Sequence, residues 1–420
     1  MVGSFFDHGD AAAKRFEANQ LFTPSLPIAV AEMFVGRLRQ ASRIVDAIGE
    51  RGRHVILFGE RGVGKSSMAR IIPYFVPISK DSPLKVRHIR VQAFPLDTFA
   101  SIARRIFHNI HFEEDLGEGK KSYNVAEFYP EEVTIDDFIS EMKQFKEWEI
   151  PIIIIDEFNE VDDEDTEITL ANALKALSDE GVNVTILIVG VADNVTELIA
   201  RHKSIERCAE QVRMPRMSVD ERRAILSSRL TKLDMTIEVR AERAIINLSR
   251  GLPAYVHSLG KFAAFLAINE GRPHIVESDV ERAIDQVLES AEQTLKDSYE
   301  DATRSNHTKA LFRHLLTACA LAKCDPAGYF MPAAVREPYA AVLKRTNVKI
   351  ANFQDMLRDF AEKREGILER SGEARSYRYR FKSPAMQPYV LMRAMQGNII
   401  DELAMQALWS SDEPDLFSIF

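Results

Sequence analysis

Two kinds of apolar pattern alternate through the first half of this chain. His54-Val55-Ile56-Leu57-Phe58, Ile152-Ile153-Ile154-Ile155 and residues 182–192 are nearly uninterrupted apolar runs, with shorter strand-like stretches at 86–91 and around 211–214. Runs of that length predict strands buried on both faces, as in a parallel sheet. Between them the spacing becomes helical, predicting helices from Arg37 to about Glu50 and over 67–74, 96–110 and 134–145. Residues 112–129 are rich in Gly, Lys and Glu without periodicity and predict an exposed loop. Residues 1–30 carry no motif, and Phe5, Phe6, Phe16 and Phe22 are expected to pack on the domain that follows.

From residue 218 the pattern is helical almost throughout. Ser218-Val219-Asp220-Glu221 has the S-x-x-E form of a capping box and predicts a helix to about Lys232. Further helices are expected at 241–248, 254–268, 278–293, 308–323, 331–344 and 352–363. In 308–323, Leu311, Leu315, Ala318 and Ala322 share a face, and in 352–363 Phe353, Met356, Leu357 and Phe360 do. Residues 366–370 and 375–381 flank Ser371-Gly372-Glu373-Ala374, a hairpin signature. In the second strand Tyr377, Tyr379 and Phe381 would face a core, leaving Arg378, Arg380 and Lys382 on an outer face with Arg375 close by.

The candidate chemistry starts at Gly59-Glu60-Arg61-Gly62-Val63-Gly64-Lys65-Ser66-Ser67, which satisfies G-x-x-x-x-G-K-[ST] between a predicted strand and a predicted helix. Such a loop wraps backbone N–H groups around phosphates, and glycines allow the close approach. Lys65 would neutralise phosphate charge and Ser66 would hold Mg²⁺. The run of isoleucines ends in Asp156-Glu157. Beside a phosphate loop, Asp156 can complete the metal sphere and Glu157 can orient the attacking water. The strand over 182–192 closes in Asp193-Asn194, where a polar side chain would feel the γ-phosphate. Either residue fits that role, and an Asx turn accounts equally well for one of them.

Composition excludes several classes. No apolar run approaches the roughly 18 to 20 residues of a membrane span, and the first ten residues lack the features of a signal peptide, so a cytoplasmic location is expected. Cys208, Cys319 and Cys324 are too few and scattered for a disulfide framework or zinc site. The net charge of −9 is uneven. Residues 308–395 carry 16 Lys and Arg against 8 Asp and Glu, while 397–420 hold five acids and no base. A basic hairpin suits DNA phosphates; a solvated cationic face or a contact to the acidic remainder of the chain are the alternatives.

Taken together, these residues resemble the AAA+ ATPases, and within that class the branch near origin-recognition initiators and the signal-transduction ATPases of the multidomain NTPase group. Met33-Phe34-Val35-Gly36-Arg37, ahead of the phosphate loop, is similar to that class's adenine-side motif, and Gly251-Leu252-Pro253 to its lid turn. The resemblance implies an arginine before the fifth strand that reaches a neighbouring subunit's nucleotide, with Arg207 chosen and Arg201 a competitor. It also implies a lid arginine near Gly251, which that stretch lacks, so a slow switch is as fitting as a motor. Three helices and a hairpin at the C-terminus resemble a winged helix. The expected architecture is an α/β P-loop ATPase core (parallel sheet flanked by helices) over 31–217, after an extension over 1–30. A helical lid over 218–300, a winged-helix domain over 301–395 and an acidic tail over 396–420 would follow. ATP and Mg²⁺ are the expected cofactors. A homo-oligomer and DNA are the expected partners, with a scaffold ATPase binding a protein partner as the alternative. A P-loop kinase is disfavoured by the acid pair; free phosphate as product would exclude it.

Overall fold

A computed structural model of the chain describes residues 8–24, 34, 36–79, 81–115, 120–130, 132–192, 205–304, 311–325, 327–373 and 376–400. They run from helix α1 (His8–Leu21) to the C-terminal helices and divide into two compact units, Pro27–Glu60 with Gly64–Met214, and Met1–Leu26 with Arg61–Val63 and Pro215–Phe420.

The first unit is built on five parallel strands. They are β1 (His54–Gly59), β2 (Lys85–Gln92), β5 (Glu149–Asp156), β6 (Thr185–Val191) and β7 (Ala209–Arg213), in the order β2-β5-β6-β1-β7. The strands β3 (His111–Asp115) and β4 (Lys120–Asn124) form a separate antiparallel hairpin where the sequence predicts a loop. Its register pairs Glu114 with Lys121 and Asp115 with Lys120. A charged stretch without period-2 alternation of apolar residues gives no strand signal in sequence.

Helices α2 (Leu38–Ile48), α3 (Lys65–Ile71), α4 (Phe99–His108), α5 (Ile135–Met142), α6 (Glu164–Asp179) and α7 (Ile205–Cys208) complete this unit. One sheet face carries Ile56, Ile89, Val91, Ile153, Ile155, Ile186 and Ile188, packed with Phe107, Phe138, Leu170 and Leu174 from α4, α5 and α6. The alternate residues Val55, Leu57, Ile152, Ile154, Leu187 and Val189 are also buried, and α2 and α3 contact β1. Covering on both faces is why these strands read as unbroken apolar runs; each such side chain contributes about 1.5–3 kcal/mol on burial. His54 begins β1 fully buried, with Nε2 3.0 Å from the Leu174 carbonyl and Nδ1 accepting from Ile186 N–H at 3.2 Å. Burial pushes its pKa down to about 4, against the opposing Leu174 hydrogen bond.

The second unit holds α1 and the chain beyond Met214. Helices α8 (Val219–Lys232), α9 (Val239–Leu248), α10 (Pro253–Asn269) and α11 (Glu277–Ser290) follow the predicted order, with the short parallel pair β8 (Thr236–Ile237) and β9 (His274–Ile275) among them. The Ser218–Glu221 capping box forms: Ser218 Oγ accepts from Glu221 N–H at 3.2 Å, and Glu221 returns the bond at 2.9 Å. Pro253 opens α10, where its missing N–H costs nothing. The expectation for the early phenylalanines is corrected here. Phe22 is buried against α10, its ring edge-on to His257 at 6.0 Å, and a Cβ on Gly260 would come within 2.7 Å of it. Phe16 is exposed, and Phe5 and Phe6 lie outside the described residues.

Helix α12 (Gln293–Thr303) then leads to α13 (Phe312–Leu321), α14 (Pro332–Val342), α15 (Gln354–Glu362), strands β10 (Leu368–Ser371) and β11 (Arg378–Phe381), and α16 (Met386–Gln396). Strands β10 and β11 pair antiparallel with Leu368 opposite Phe381, and Phe330 adds a bridge to Tyr379 through bonds of 2.7 and 2.8 Å. Leu315, Phe353, Leu357, Phe360, Tyr379 and Phe381 are buried, as their spacing predicts. Helices α12 and α16 are additions to the sequence reading.

Candidate functional site at the phosphate loop

Strand β1 delivers the chain into the loop through Gly59, whose φ of 147° and close approach leave no room for a side chain. A Cβ there would lie 2.4 Å from the Met214 carbonyl. Gly62 (φ 84°) and Gly64 (φ 98°) adopt the left-handed conformation that turns successive N–H groups toward one concavity. Lys65 begins α3 with its side chain buried, and Nζ donates to the carbonyls of Gly59 at 2.9 Å and Glu60 at 2.7 Å. Val63 is buried, and Ser66 and Ser67 lie in the first turn of α3.

Across the β1-β6-β5 stretch of the sheet, Asp156 ends β5 almost wholly buried. Its Oδ1 accepts from Ser66 Oγ at 3.2 Å and from Glu157 N–H at 3.0 Å, while Oδ2 accepts from Arg90 Nη2 at 2.5 Å. Glu157 is exposed and takes φ 57°, a left-handed conformation costing about 1–3 kcal/mol in a non-glycine residue and concentrated at functional sites. Its Oε2 accepts from Gln92 Nε2 at 2.5 Å. The parallel register sets Gln92 opposite Asp156 and Arg90 opposite Ile154, which is why β2 supplies both contacts.

Gly59, Gly64, Lys65, Ser66, Ser67, Asp156 and Glu157 thus gather at the carboxyl ends of neighbouring strands, where α/β folds bind ligands, and Gly62 and Val63 lie in the loop that joins Gly59 to Gly64. Gly36 and Arg37 precede α2, with φ of 81° and 62°, and Arg37 is buried. Arg207 sits in α7 immediately before β7; its carbonyl accepts from Arg53 at 2.9 Å, and its side chain is exposed. Val35, Asp193, Asn194, Arg201 and Arg375 lie outside the described residues. Pro253 belongs to the other unit. There Gly251 takes φ 83° and a Cβ on it would meet Arg216 Cβ at 2.7 Å. The preceding Arg250 lies in the turn rather than in α10.

Arg378 and Arg380 lie on one side of the hairpin, both against Tyr329, and both are already engaged. Arg380 donates to Glu369 at 3.0 and 2.9 Å, and Arg378 reaches Asp325 at 3.5 Å. Both guanidinium groups lie over the Tyr329 ring, 4.6 and 4.1 Å from its centre, and Tyr329 itself donates to Glu369 at 2.8 Å. Lys382 is exposed.

Sequence reasoning passed over Arg90 and Gln92. The signal was available: β2 alternates His88, Arg90 and Gln92 on one face, unusual for a strand in a sheet covered by helices. The donor set fits a phosphate and a hard divalent cation. The glycine turns offer amides, Lys65 an ammonium, and Ser66 Oγ and Asp156 Oδ1 two oxygens 3.2 Å apart. Mg²⁺ is usually held by one or two carboxylates together with substrate phosphates. Among the described residues, no cluster of three or more His, Cys, Asp or Glu side chains could hold a metal, and no helix is long and apolar enough to cross a membrane.

Comparison with known proteins bears on this arrangement. The model of the family described as Novel STAND NTPase 1 matches residues 27–320. No curated protein compared with the chain matches it significantly. Among solved structures, a Walker-type ATPase of Pyrococcus abyssi is similar in fold, with a TM-score of 0.52 at 15% identity over 89% of this chain and 99% of its own. The ORC2 protein of Aeropyrum pernix, solved as ADPNP-ADP complexes, has a TM-score of 0.50 at 16% identity over 93% of this chain and 98% of its own.

Proposed function

Because the chain belongs to the Novel STAND NTPase 1 family and has the P-loop NTPase fold of AAA+ type, we propose that it binds Mg·ATP and hydrolyses it slowly, as a switch of assembly state. The observation that carries this reading is the convergence of Lys65, Ser66, Asp156 and Glu157 at one end of the sheet, with Asp156 hydrogen-bonded to Ser66. Lys65 and the loop amides would bind the phosphates, while Ser66 and Asp156 would hold the metal. Bound Mg²⁺ supplies charge neutralisation on the phosphoryl oxygens. Glu157 would orient the water and accept its proton. Arg207, exposed ahead of β7, would serve a neighbouring subunit's γ-phosphate, and Asn194 or Asp193 would sense that phosphate within the same subunit. Val35, Gly36, Arg37 and Pro253 are the residues proposed for the adenine side of the nucleotide.

For the C-terminal segment we propose a winged helix contacting DNA through Arg375, Arg378, Arg380 and Lys382. A second reading, a winged helix that binds protein, is favoured by the Arg380–Glu369 and Arg378–Asp325 pairs, which offset the charge a phosphate backbone would need. The decisive experiment measures nucleotide binding, phosphate release and particle mass together. Lys65→Ala should lose affinity, and Glu157→Gln should keep it while nearly stopping release. The wild type should be heavier in ATP than in ADP. Wild-type turnover by Glu157→Gln would overturn the assignment of the water-orienting group, and equal mass in both nucleotides the assembly switch.

A further inference from the structure

The geometry points to Arg90 as the resident counter-ion of Asp156, a positioning residue that competes with the divalent cation for this carboxylate and so sets how much metal nucleotide binding requires. The inference rests on the proposed nucleotide site and adds to it a residue that neither the phosphate loop nor the acid pair contains.

Asp156 exposes 1% of its surface. A carboxylate that deep in a protein must be paired, since an isolated buried charge is too costly to keep. Every partner recorded for it is a donor: Ser66 Oγ and Glu157 N–H on Oδ1, and the Arg90 guanidinium, at 2.5 Å, on Oδ2. Among the described residues, Arg90 is the one partner that brings a full charge. Its side chain is about one-third exposed and is carried on β2 at the edge of the sheet, so it has a path toward solvent.

The placement has two consequences. In the nucleotide-free chain Arg90 holds Oδ2 of Asp156 while Oδ1 accepts from Ser66, so the metal-holding pair is assembled in advance. When the cation arrives it meets a carboxylate whose charge is already offset, with a guanidinium on the other oxygen. Like charges a few ångströms apart repel appreciably at the effective dielectric of a protein surface. Arg90 therefore preorganises the site and at the same time raises the metal concentration needed to fill it. A residue serving only to hold β2 against β5 would do the first and not the second.

The test uses the full chain, a non-hydrolysed ATP analogue with a fluorescent label, and Mg²⁺ titrated against a chelator. Arg90→Met should bind the analogue in chelator within about twofold of wild type, while the half-saturating Mg²⁺ concentration falls by about tenfold or more, tenfold being the low end for one charge-charge contact between water and a protein surface. Arg90→Lys should return the midpoint toward the wild-type value. An unchanged or raised midpoint in Arg90→Met overturns the proposal and leaves the nucleotide site standing. Failure of the wild type to bind the analogue under any condition overturns the site itself and this proposal with it. If Arg90→Met does not fold, Arg90→Met/Asp156→Asn decides: mutual counter-ions require the double variant to regain a melting temperature near wild type, and a double as unstable as the single overturns the assignment.

Discussion

Gln92 donates a 2.5 Å hydrogen bond to the carboxylate of Glu157, 65 residues further along the chain. The bond exists because β2 and β5 run parallel in register and end together. It ties the side chain proposed to orient water to the edge strand of the sheet. Gln92→Ala should release it and raise basal phosphate release by about tenfold to a hundredfold, the equivalent of one hydrogen bond to a charged group. Nucleotide affinity should stay as it is. A lower rate at unchanged affinity would mean that Gln92 holds Glu157 in its working position instead.

Within the second unit, Arg216 Nη1 donates to Gln387 Oε1 at 2.5 Å and Tyr255 Oη donates to the Ala385 carbonyl at 2.7 Å. Gln387 is buried and passes a further bond to the Ala320 carbonyl at 2.9 Å. These contacts tie α10 and the segment leading into α8 to the start of α16. Arg216→Met with Tyr255→Phe leaves buried acceptors unmet, at about 1–3 kcal/mol each. Amide exchange in α13 and α16 should quicken, while β1 and β5 keep their protection. Equal quickening in both units would count against a local effect.

The hairpin offers a gain-of-binding test. Glu369 holds Arg380 through two bonds, and Lys382 carries no ion pair among the described residues. If the surface meets DNA, Glu369→Gln should tighten duplex binding. The slope of log affinity against log salt should steepen by about one, at about −0.9 per phosphate neutralised. Changing Arg378, Arg380 and Lys382 together to Glu should abolish binding and spare ATP affinity. No duplex binding by either protein near ~50 mM salt would leave the protein-partner reading.

His54 predicts an acid-sensitive core. Burial holds the folded imidazole neutral, with a pKa of about 4 against 6.5 unperturbed. Between those values the unfolded chain binds a proton that the native chain refuses, so stability is full above pH 6.5 and declines as pH falls toward 4. The loss over that window is about 3 kcal/mol. Urea unfolding of His54→Gln should show a lower stability at pH 7 and a flatter profile between pH 6.5 and 4. A profile parallel to wild type would remove His54 as the cause.

How far the sequence could be read depended on where each property is encoded. The phosphate loop, the acid pair and the capping box are local: glycine φ values, a lysine at the first position of a helix and an oxygen three residues from an N–H are set within a few residues. The buried strands were legible because cover on both faces leaves an unbroken apolar run. The β3–β4 hairpin was not, since its charged sequence carries no apolar alternation to find. Neither was the destination of Phe22, because an apolar residue advertises burial and not the surface that buries it.

Arg90 and Gln92 mark the same boundary inside the site. Their residue types and alternation were visible along β2, but that they meet Asp156 and Glu157 follows from strand order and register. The basic hairpin differs from its sequence pattern for a related reason. Period-2 spacing set Arg378 and Arg380 on the outer face, whereas Glu369 and Asp325, brought beside them by antiparallel pairing and by the turn before Phe330, decide how much of that charge is left for a partner. Sequence determined the phosphate-binding chemistry and which faces are apolar, because both are carried by short-range backbone and side-chain preferences. Tertiary structure alone decided which charges are offset and which carboxylates are held, because Coulomb and hydrogen-bond partners are chosen by proximity in space.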